Sequence, residues 1–491
     1  MLLGIDIGTS SSKGVLVRPD GSVAASATRD HAVSTPRPGW VEHDALTVWW
    51  ADFVALAGEL GAAGLVDAVA VSGIGPCLLP AGSDGVPLRP AILYGVDTRA
   101  TSQIAAQNEA FGADAVLARC HSPLTTQAIG PKLAWLREQE PDLYTRMRRW
   151  FMASSYLGFR LTGEYVLDHH SASQSVPLYD PVAHAWIADW CEQIAPGLEW
   201  PRLVWPADVI GTVTPDAAAA TGLPAGIPVV AGTIDAWAEA VSVGVADPGD
   251  LMLMYGTTMF LVNVTEQPHP SPVLWSTVGA FPGTYSLAGG MATSGAVTAW
   301  LAELTGAGFE TLTTEAAAIP PGAEGLLMLP YFAGERTPLF DPDARGVVAG
   351  LTLRHTRGHL YRAALEATAF GVRHNLEAMS EVGAPQSRLV AVGGGTTGGL
   401  WTRIVTDVIG RPQELPAYTV GAAYGDAFLA ALATGKATPP DIRTWNPIAT
   451  VIEPDPPATE IYDERYAHYR ELYPATMAIV HALAQSQNES S

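Results

Sequence analysis

Residues 2–17 read LLGIDIGTSSSKGVLV, and the way this stretch turns decides the architecture of the first half of the chain. An apolar run ends at Asp6-Ile7, passes through Gly8-Thr9-Ser10 and further hydroxyl residues to Lys13, and returns to apolar residues. In the GxxxxGK[ST] phosphate loop, a strand enters a glycine-rich turn whose N–H groups wrap phosphate, and a helix follows. Here the lysine and glycine are reversed, as Lys13-Gly14, and Val15-Leu16-Val17 leads to an Asp20-Gly21 turn, the mark of a hairpin strand. The GxGxxG dinucleotide pattern is absent too. Any phosphate handled by these residues is therefore handled from a β-hairpin.

Outward from the hairpin, the residues predict a strand meander, Leu2–Ile7, Gly14–Arg18 and Ser22–Ala27. A helix N-capped by Asp44 follows, with Leu46, Trp49, Trp50 and Phe53 at helical spacing, and then a buried strand at Val66–Val71. This order makes a mixed sheet carrying a helix, an α/β domain. The plan then recurs. Pro228–Ala231 is a short strand ending in Gly232-Thr233 before Asp235, and DLMLMYGTTMFLVNV is again strand, Gly256-Thr257-Thr258, strand. A duplicated fold is the economical reading, with the ADPG turn at Ala246–Gly249 dividing domains 1–245 and 246–491. Further on, the spacing predicts an amphipathic helix through Leu360, Ala364, Ala367 and Gly371, a strand at Leu389–Val392, and a glycine turn leading into a helix at Leu400–Ile409. A small-residue helix stops at Gly435, and the tail is helical over Tyr462–Ala484.

With 491 residues, 48% apolar and 15% charged, the composition is globular and exceeds one core at about 100–200 residues per domain. A net charge of −22 repels nucleic acid and anionic membranes, although local dipoles and Mg²⁺ can still hold a small anion. Cys77, Cys120 and Cys191 form neither a disulfide framework nor a zinc motif, which suits a reducing compartment. Met1 leads straight into a strand, and no apolar run reaches the roughly 18–20 residues that span a bilayer. The expectation is a soluble cytoplasmic protein.

Four glycine-bearing turns follow apolar strands: Gly8-Thr9-Ser10, Gly232-Thr233, Gly256-Thr257-Thr258 and Gly393-Gly394-Gly395. Each is an ordinary tight turn or a site where backbone N–H groups and hydroxyls approach phosphate. Together with AGTIDAW, GERTP and GVVAGLTLRHTRGHLYRAALE, they resemble the FGGY carbohydrate kinases of the actin-like ATPase superfamily, and among these most closely the xylulose kinases. The stretch Gly346–Glu366 resembles the family's C-terminal signature throughout. KLAWLREQ, from Lys132 to Gln139, resembles the core of the other signature, with Gln127 and Ile129 departing from it.

The resemblance implies two ribonuclease H-like domains, each a mixed β-sheet flanked by helices, with a cleft between them. It implies ATP and Mg²⁺ as cofactors, a small sugar or polyol as partner, and a homodimer as the family's assembly. Asp235 resembles the catalytic base, and Asp6 is the second carboxylate, holding Mg²⁺ through water. Thr9, Ser10 and Lys13 would meet the transferred phosphate, and Gly256, Thr257 and Thr258 the β- and γ-phosphates. Gly394, Gly395 and Gly425 would admit the adenosine. Asp97, with Arg99 nearby, resembles the sugar-binding aspartate. Ile74, Gly75, Pro76 and Cys77 stand where xylulose kinases carry a Met-His sugar contact, and Ala236 where an amide usually follows the base. The function implied is phosphorylation of a terminal hydroxyl, best D-xylulose to xylulose 5-phosphate. Ribulose, erythrulose and glycerol are alternatives, as are an actin-like ATPase that binds protein and a non-catalytic sugar sensor.

Other residues have simpler readings. Asp235 could instead cap the helix that follows it, and Lys13 could be an exposed strand residue. Glu335-Arg336 reads as an ion pair or a direct nucleotide contact, His169-His170 as a solvated loop, and Trp40 as packing.

Overall fold

The computed structural model describes residues 1–63 and 65–489. They form two compact units, each discontinuous in sequence. The first comprises Met1–Pro248, Val264–Ser286 and Val420–Pro447; the second comprises Gly249–Asn263, Leu287–Thr419 and the chain from Ile448 onward. The first crossing falls in the ADPG turn, and two later segments return to the first unit. Among the described residues no helix is long and apolar enough to cross a membrane.

In the first unit, strands β1 (Leu2–Ile7), β2 (Ser11–Val17), β3 (Val23–Asp30), β4 (Ala68–Gly73), β5 (Val209–Thr212) and β6 (Pro228–Val230) form a sheet of order β5-β6-β4-β1-β2-β3. β1 runs antiparallel to β2 and parallel to β4. Alternation along β1 sends Leu3, Ile5 and Ile7 into one core with Trp49 and Phe53, and Leu2 into a second core with Ala423, Ala427 and Phe428. Helices therefore cover both faces: α1 (Ala51–Ala63) on one, and a small-residue helix, Ala422–Ala433, on the other. Asp44 caps the helical stretch that leads into α1, its carboxylate accepting from the N–H groups of Leu46 and Thr47. Leu46 departs from the apolar face expected of it and is 46% exposed, because the helix turns that position to solvent.

The second unit repeats the plan. β7 (Asp250–Tyr255) pairs antiparallel with β8 (Met259–Thr265) across Gly256–Thr258. It pairs parallel on its other edge with the strand Arg388–Val392. A central strand with one hairpin partner and one parallel partner thus occurs in both units, as the duplicated turns predict. Thr356 and His359 form the capping pair that starts the long helix Arg357–Glu381. Within that helix, Glu366 is buried against Arg362 at 2.7 Å and accepts from the Tyr462 hydroxyl, so the C-terminal signature ends in a structural ion pair.

Candidate active site

Strand register assembles the charged face of the first unit. Asp6 is paired with Lys13 on β2 and with Ser72 on β4, so these three side chains share one face of the sheet at its strand ends. Asp235 is the first residue of the helix Asp235–Ser242 rather than its cap, which is Ile234. Its Oδ1 accepts from the adjacent Ala236 N–H at 2.8 Å, and among the described residues it makes no second hydrogen bond. A carboxylate in a first helical turn is favoured by the helix dipole yet stays available for chemistry. The turn that delivers it requires glycine: Gly232 has φ +65°, and a Cβ there would lie 1.8 Å from the Val71 carbonyl.

Glu239 follows Asp235 by one helical turn, and the charges act on one another. Burial first, then Asp235, pushes Asp6 up to about 8, with Glu239 adding to the rise and Lys13 opposing it. Burial raises Asp235 to about 6 and Glu239 to about 7. Lys13 donates from Nζ to the Val420 carbonyl, so it is anchored rather than a free strand residue. The anchored ammonium thus acts on two of the three carboxylates, Asp6 and Glu239.

Ser72 ties a fourth acid into the cluster. Its Oγ lies 2.9 Å from Asp6 Oδ1 and 2.6 Å from Asp426 Oδ2, but a hydroxyl has one proton and can donate to only one of them. The geometry is satisfied when Asp426 is a neutral acid that donates to Ser72, which in turn donates to Asp6. Burial, reinforced by Asp6 and Asp235, holds Asp426 well above the usual carboxylate range.

Gly425 lies where two helices touch. A Cβ there would lie 1.9 Å from the Ala238 carbonyl, so this glycine lets the helix Ala422–Ala433 pack against Asp235–Ser242. The residues expected at the sugar are likewise occupied structurally. Ile74 and Cys77 are buried, and burial pushes the Cys77 thiol up to about 12, leaving Gly75 as the partly exposed member of that loop. Asp97 is 2% exposed and accepts from the Val41 N–H and the Arg99 guanidinium. Arg99 pairs further with Glu42 and lies 4.0 Å from the Trp40 ring centroid. This carboxylate is the centre of a buried network and has little hydrogen-bonding capacity left for a sugar. Lys132, from the signature segment, is also buried, donates to the Gln127 carbonyl at 3.3 Å, and falls to about 8 through burial.

In the second unit, a cavity of about 830 Å³ is lined by Gly256, Thr257, Gly394, Gly395, Tyr361 and Trp401, among others. The carbonyls of Gly256 and Thr257 are taken by the N–H groups of Gly295 and Ala296, which open the helix Gly295–Thr305. The Gly256 N–H is spent on the Thr258 carbonyl, so the N–H groups and hydroxyls of Thr257 and Thr258 are the donors the turn can offer a phosphate. Gly395 packs its backbone on Trp401, where a Cβ would lie 2.6 Å from the indole. Glu335 is buried and accepts from the N–H groups of Ala292 and Arg336, so it fixes local backbone.

His169 and His170 are not a solvated loop. Both are buried in the short helix His169–Ser173, and His170 packs 3.9 Å from the Trp237 ring with Nδ1 on the Val278 carbonyl. Ser72, Asp426, Glu239, Tyr361 and Trp401 escaped the sequence reading. Only Glu239 carried a signal, its i+4 spacing from Asp235.

A divalent cation fits the donor set in one form. Among the described residues no three acidic, histidine or cysteine side chains converge as direct ligands. The oxygen-only set of Asp6, Asp235 and Glu239, with its excess negative charge, suits a hydrated Mg²⁺ held by one or two carboxylates.

The FGGY family of carbohydrate kinases is matched along most of the chain, its N-terminal domain by residues 1–242 and its C-terminal domain by residues 251–434. A xylulose kinase of Escherichia coli (strain K12) is 30% identical over 96% of this chain and 98% of its own. A glycerol kinase of Nocardia farcinica is 31% identical over 90% of this chain and 93% of its own. The crystal structure of xylulose kinase from Rhodospirillum rubrum superposes with a TM-score of 0.91 at 34% identity, covering 98% of this chain and 99% of that one.

Proposed function

Because the chain belongs to the FGGY family of carbohydrate kinases, it is an ATP-dependent phosphotransferase with an alcohol acceptor, and we propose that the acceptor is the terminal hydroxyl of D-xylulose, giving D-xylulose 5-phosphate. The observation that carries this reading is Asp235, whose carboxylate is held near 6 with one oxygen uncommitted. At neutral pH it is ionised and accepts the proton of the sugar hydroxyl as that oxygen attacks the γ-phosphorus. Thr9, Ser10 and Lys13 meet the transferred phosphoryl group, and Gly256, Thr257 and Thr258 hold the β- and γ-phosphates. Gly394 and Gly395 let the adenosine approach Trp401. Asp6 would hold Mg²⁺ through water, with Asp235 and Glu239 nearby, and when bound the ion would supply neutralisation of phosphate charge. The rest of the catalysis is positioning and electrostatics.

A second reading, phosphorylation of glycerol or another polyol, is favoured by the apolar loop Ile74–Cys77 and by Ala236, which offer few hydrogen bonds to a sugar. An ADP-release assay across ketoses and polyols separates the two. D-xylulose should give the highest kcat/KM, and a clear preference for glycerol would move the assignment to the second reading. ATP hydrolysis that no sugar or polyol stimulates would overturn both.

A further inference from the structure

The turn between β1 and β2 is gripped by a histidine from outside the hairpin. His31 follows β3, and its backbone N–H donates to the Ser10 carbonyl at 3.0 Å. Its ring reaches the other end of the same turn, with Nε2 3.2 Å from the Gly8 carbonyl. Its Nδ1 lies 2.8 Å from Oδ2 of Asp52 on α1, and that same oxygen accepts from the Ser12 hydroxyl at 2.7 Å. The side chains are sheltered, with His31 at 7% and Asp52 at 15% exposure. A carbonyl and a carboxylate are both acceptors, so each ring nitrogen of His31 faces an acceptor and the ring bridges the turn to α1.

A second histidine backs the same turn. His43 lies edge-on to His31 with centroids 5.1 Å apart, and its Nδ1 accepts from Trp49 Nε1. Burial and the neighbouring His31 push it down to about 4, while a backbone contact with Thr9 works the other way. Thr9 itself is tied through Oγ1 to the Tyr94 hydroxyl at 3.2 Å. Each of the three turn residues is therefore held by a group outside the hairpin.

Peptide planarity makes this grip functional. In a trans peptide the C=O and the following N–H point in opposite directions. Holding the Gly8 carbonyl toward His31 therefore turns the Thr9 N–H away from it, and holding the Ser10 carbonyl does the same for the Ser11 N–H. We propose that His31, paired with Asp52, is a positioning residue for phosphoryl transfer that keeps the Thr9 and Ser11 N–H groups of this turn aimed at the transferred phosphate, the Gly8 N–H being spent on the Ser11 carbonyl. This rests on the reading that the turn meets that phosphate.

Three substitutions divide the role. His31→Gln keeps an N–H donor near the Nε2 position, His31→Asn keeps one only toward Asp52, and His31→Leu keeps neither. His31→Asn and His31→Leu should lower kcat by about 10²-fold, the scale of an ångström-sized misplacement, with the sugar KM unchanged. His31→Gln should recover most of the rate, although all three variants melt within a few degrees of one another. Amide exchange in the segment 7–12 should quicken in His31→Asn and not in His31→Gln. Equal activity of the Gln and Asn variants, or wild-type kcat in the Leu variant, overturns the proposal. Exchange of the wild-type segment with and without D-xylulose and a non-hydrolysable ATP analogue separates the two layers. No ligand protection there means the turn does not meet phosphate; protection together with a wild-type His31→Asn means that the positioning role alone is wrong.

Discussion

The two hairpin turns share a backbone plan and differ in everything around it. In the first, the residue two before the glycine is Asp6, opposite Lys13; in the second it is Met254, opposite Phe260. The first sits among Asp235, Glu239 and Asp426, whose mutual repulsion and burial raise their proton affinities. The second opens on a cavity lined mostly by uncharged side chains such as Thr298, Tyr361 and Trp401, with Glu310 as its one charged member. A strand–glycine–strand turn supplies phosphate donors wherever it occurs. The charge placed beside one copy is what separates, in the proposed mechanism, a site for proton transfer from a site for holding a nucleotide.

The comparison can be broken first at the base. Asp235→Asn should reduce kcat by about 10²–10⁴-fold, the usual contribution of a general base, with nucleotide affinity retained. Importing the second hairpin's residue into the first, as Asp6→Met, should lower kcat by about 10²-fold through loss of charge stabilisation. It should also weaken Mn²⁺ binding measured by electron paramagnetic resonance. Gly395→Val drives a side chain into Trp401 and should raise the KM for ATP by about tenfold, about 1.4 kcal/mol of binding, with a smaller change in kcat. Equal damage from Asp6→Met and Gly395→Val to kcat and to KM would erase the proposed division of labour.

The smallest effects are in the pH dependence. Rate should fall as the pH drops through about 6, where Asp235 takes up a proton. Stability of the ligand-free protein should move the other way. The folded values of Asp6, Asp235 and Glu239, about 8, 6 and 7, lie above their ordinary values, so the folded state binds more protons between about pH 4 and 8. The stabilisation is complete below that range and is lost as pH rises through it. The Tm of the ligand-free protein should therefore decline from pH 5 to pH 8, and Glu239→Gln should flatten the decline.

Much of the fold was legible because local rules govern it. Apolar runs ending in glycine turns marked β1 and β7, Asp44 announced its helix, and the reversed Lys13-Gly14 excluded a helix after the first turn. What was not legible lies where a residue's neighbours are distant in sequence. Asp97 and Arg99 have the composition of a sugar contact, but Val41, Glu42 and Trp40 fold around them and use their hydrogen bonds. Gly425, expected to admit a nucleotide, is also the contact point of two helices. His169-His170, polar enough for a loop, is covered by Trp237 and Trp205.

By itself the sequence determined that the Gly8 and Gly256 turns would lie on β-hairpins, that the plan would occur twice, and that Asp6 and Asp235 would stand beside glycine turns. Each of these follows from a few consecutive residues and their backbone preferences. Only the tertiary structure decided that Ser72, Glu239 and Asp426 join the two aspartates, and that His31 and Asp52 brace the first turn. Proton affinity and turn rigidity depend on which charges and carbonyls share a desolvated space, and that space is made by strands and helices far apart along the chain.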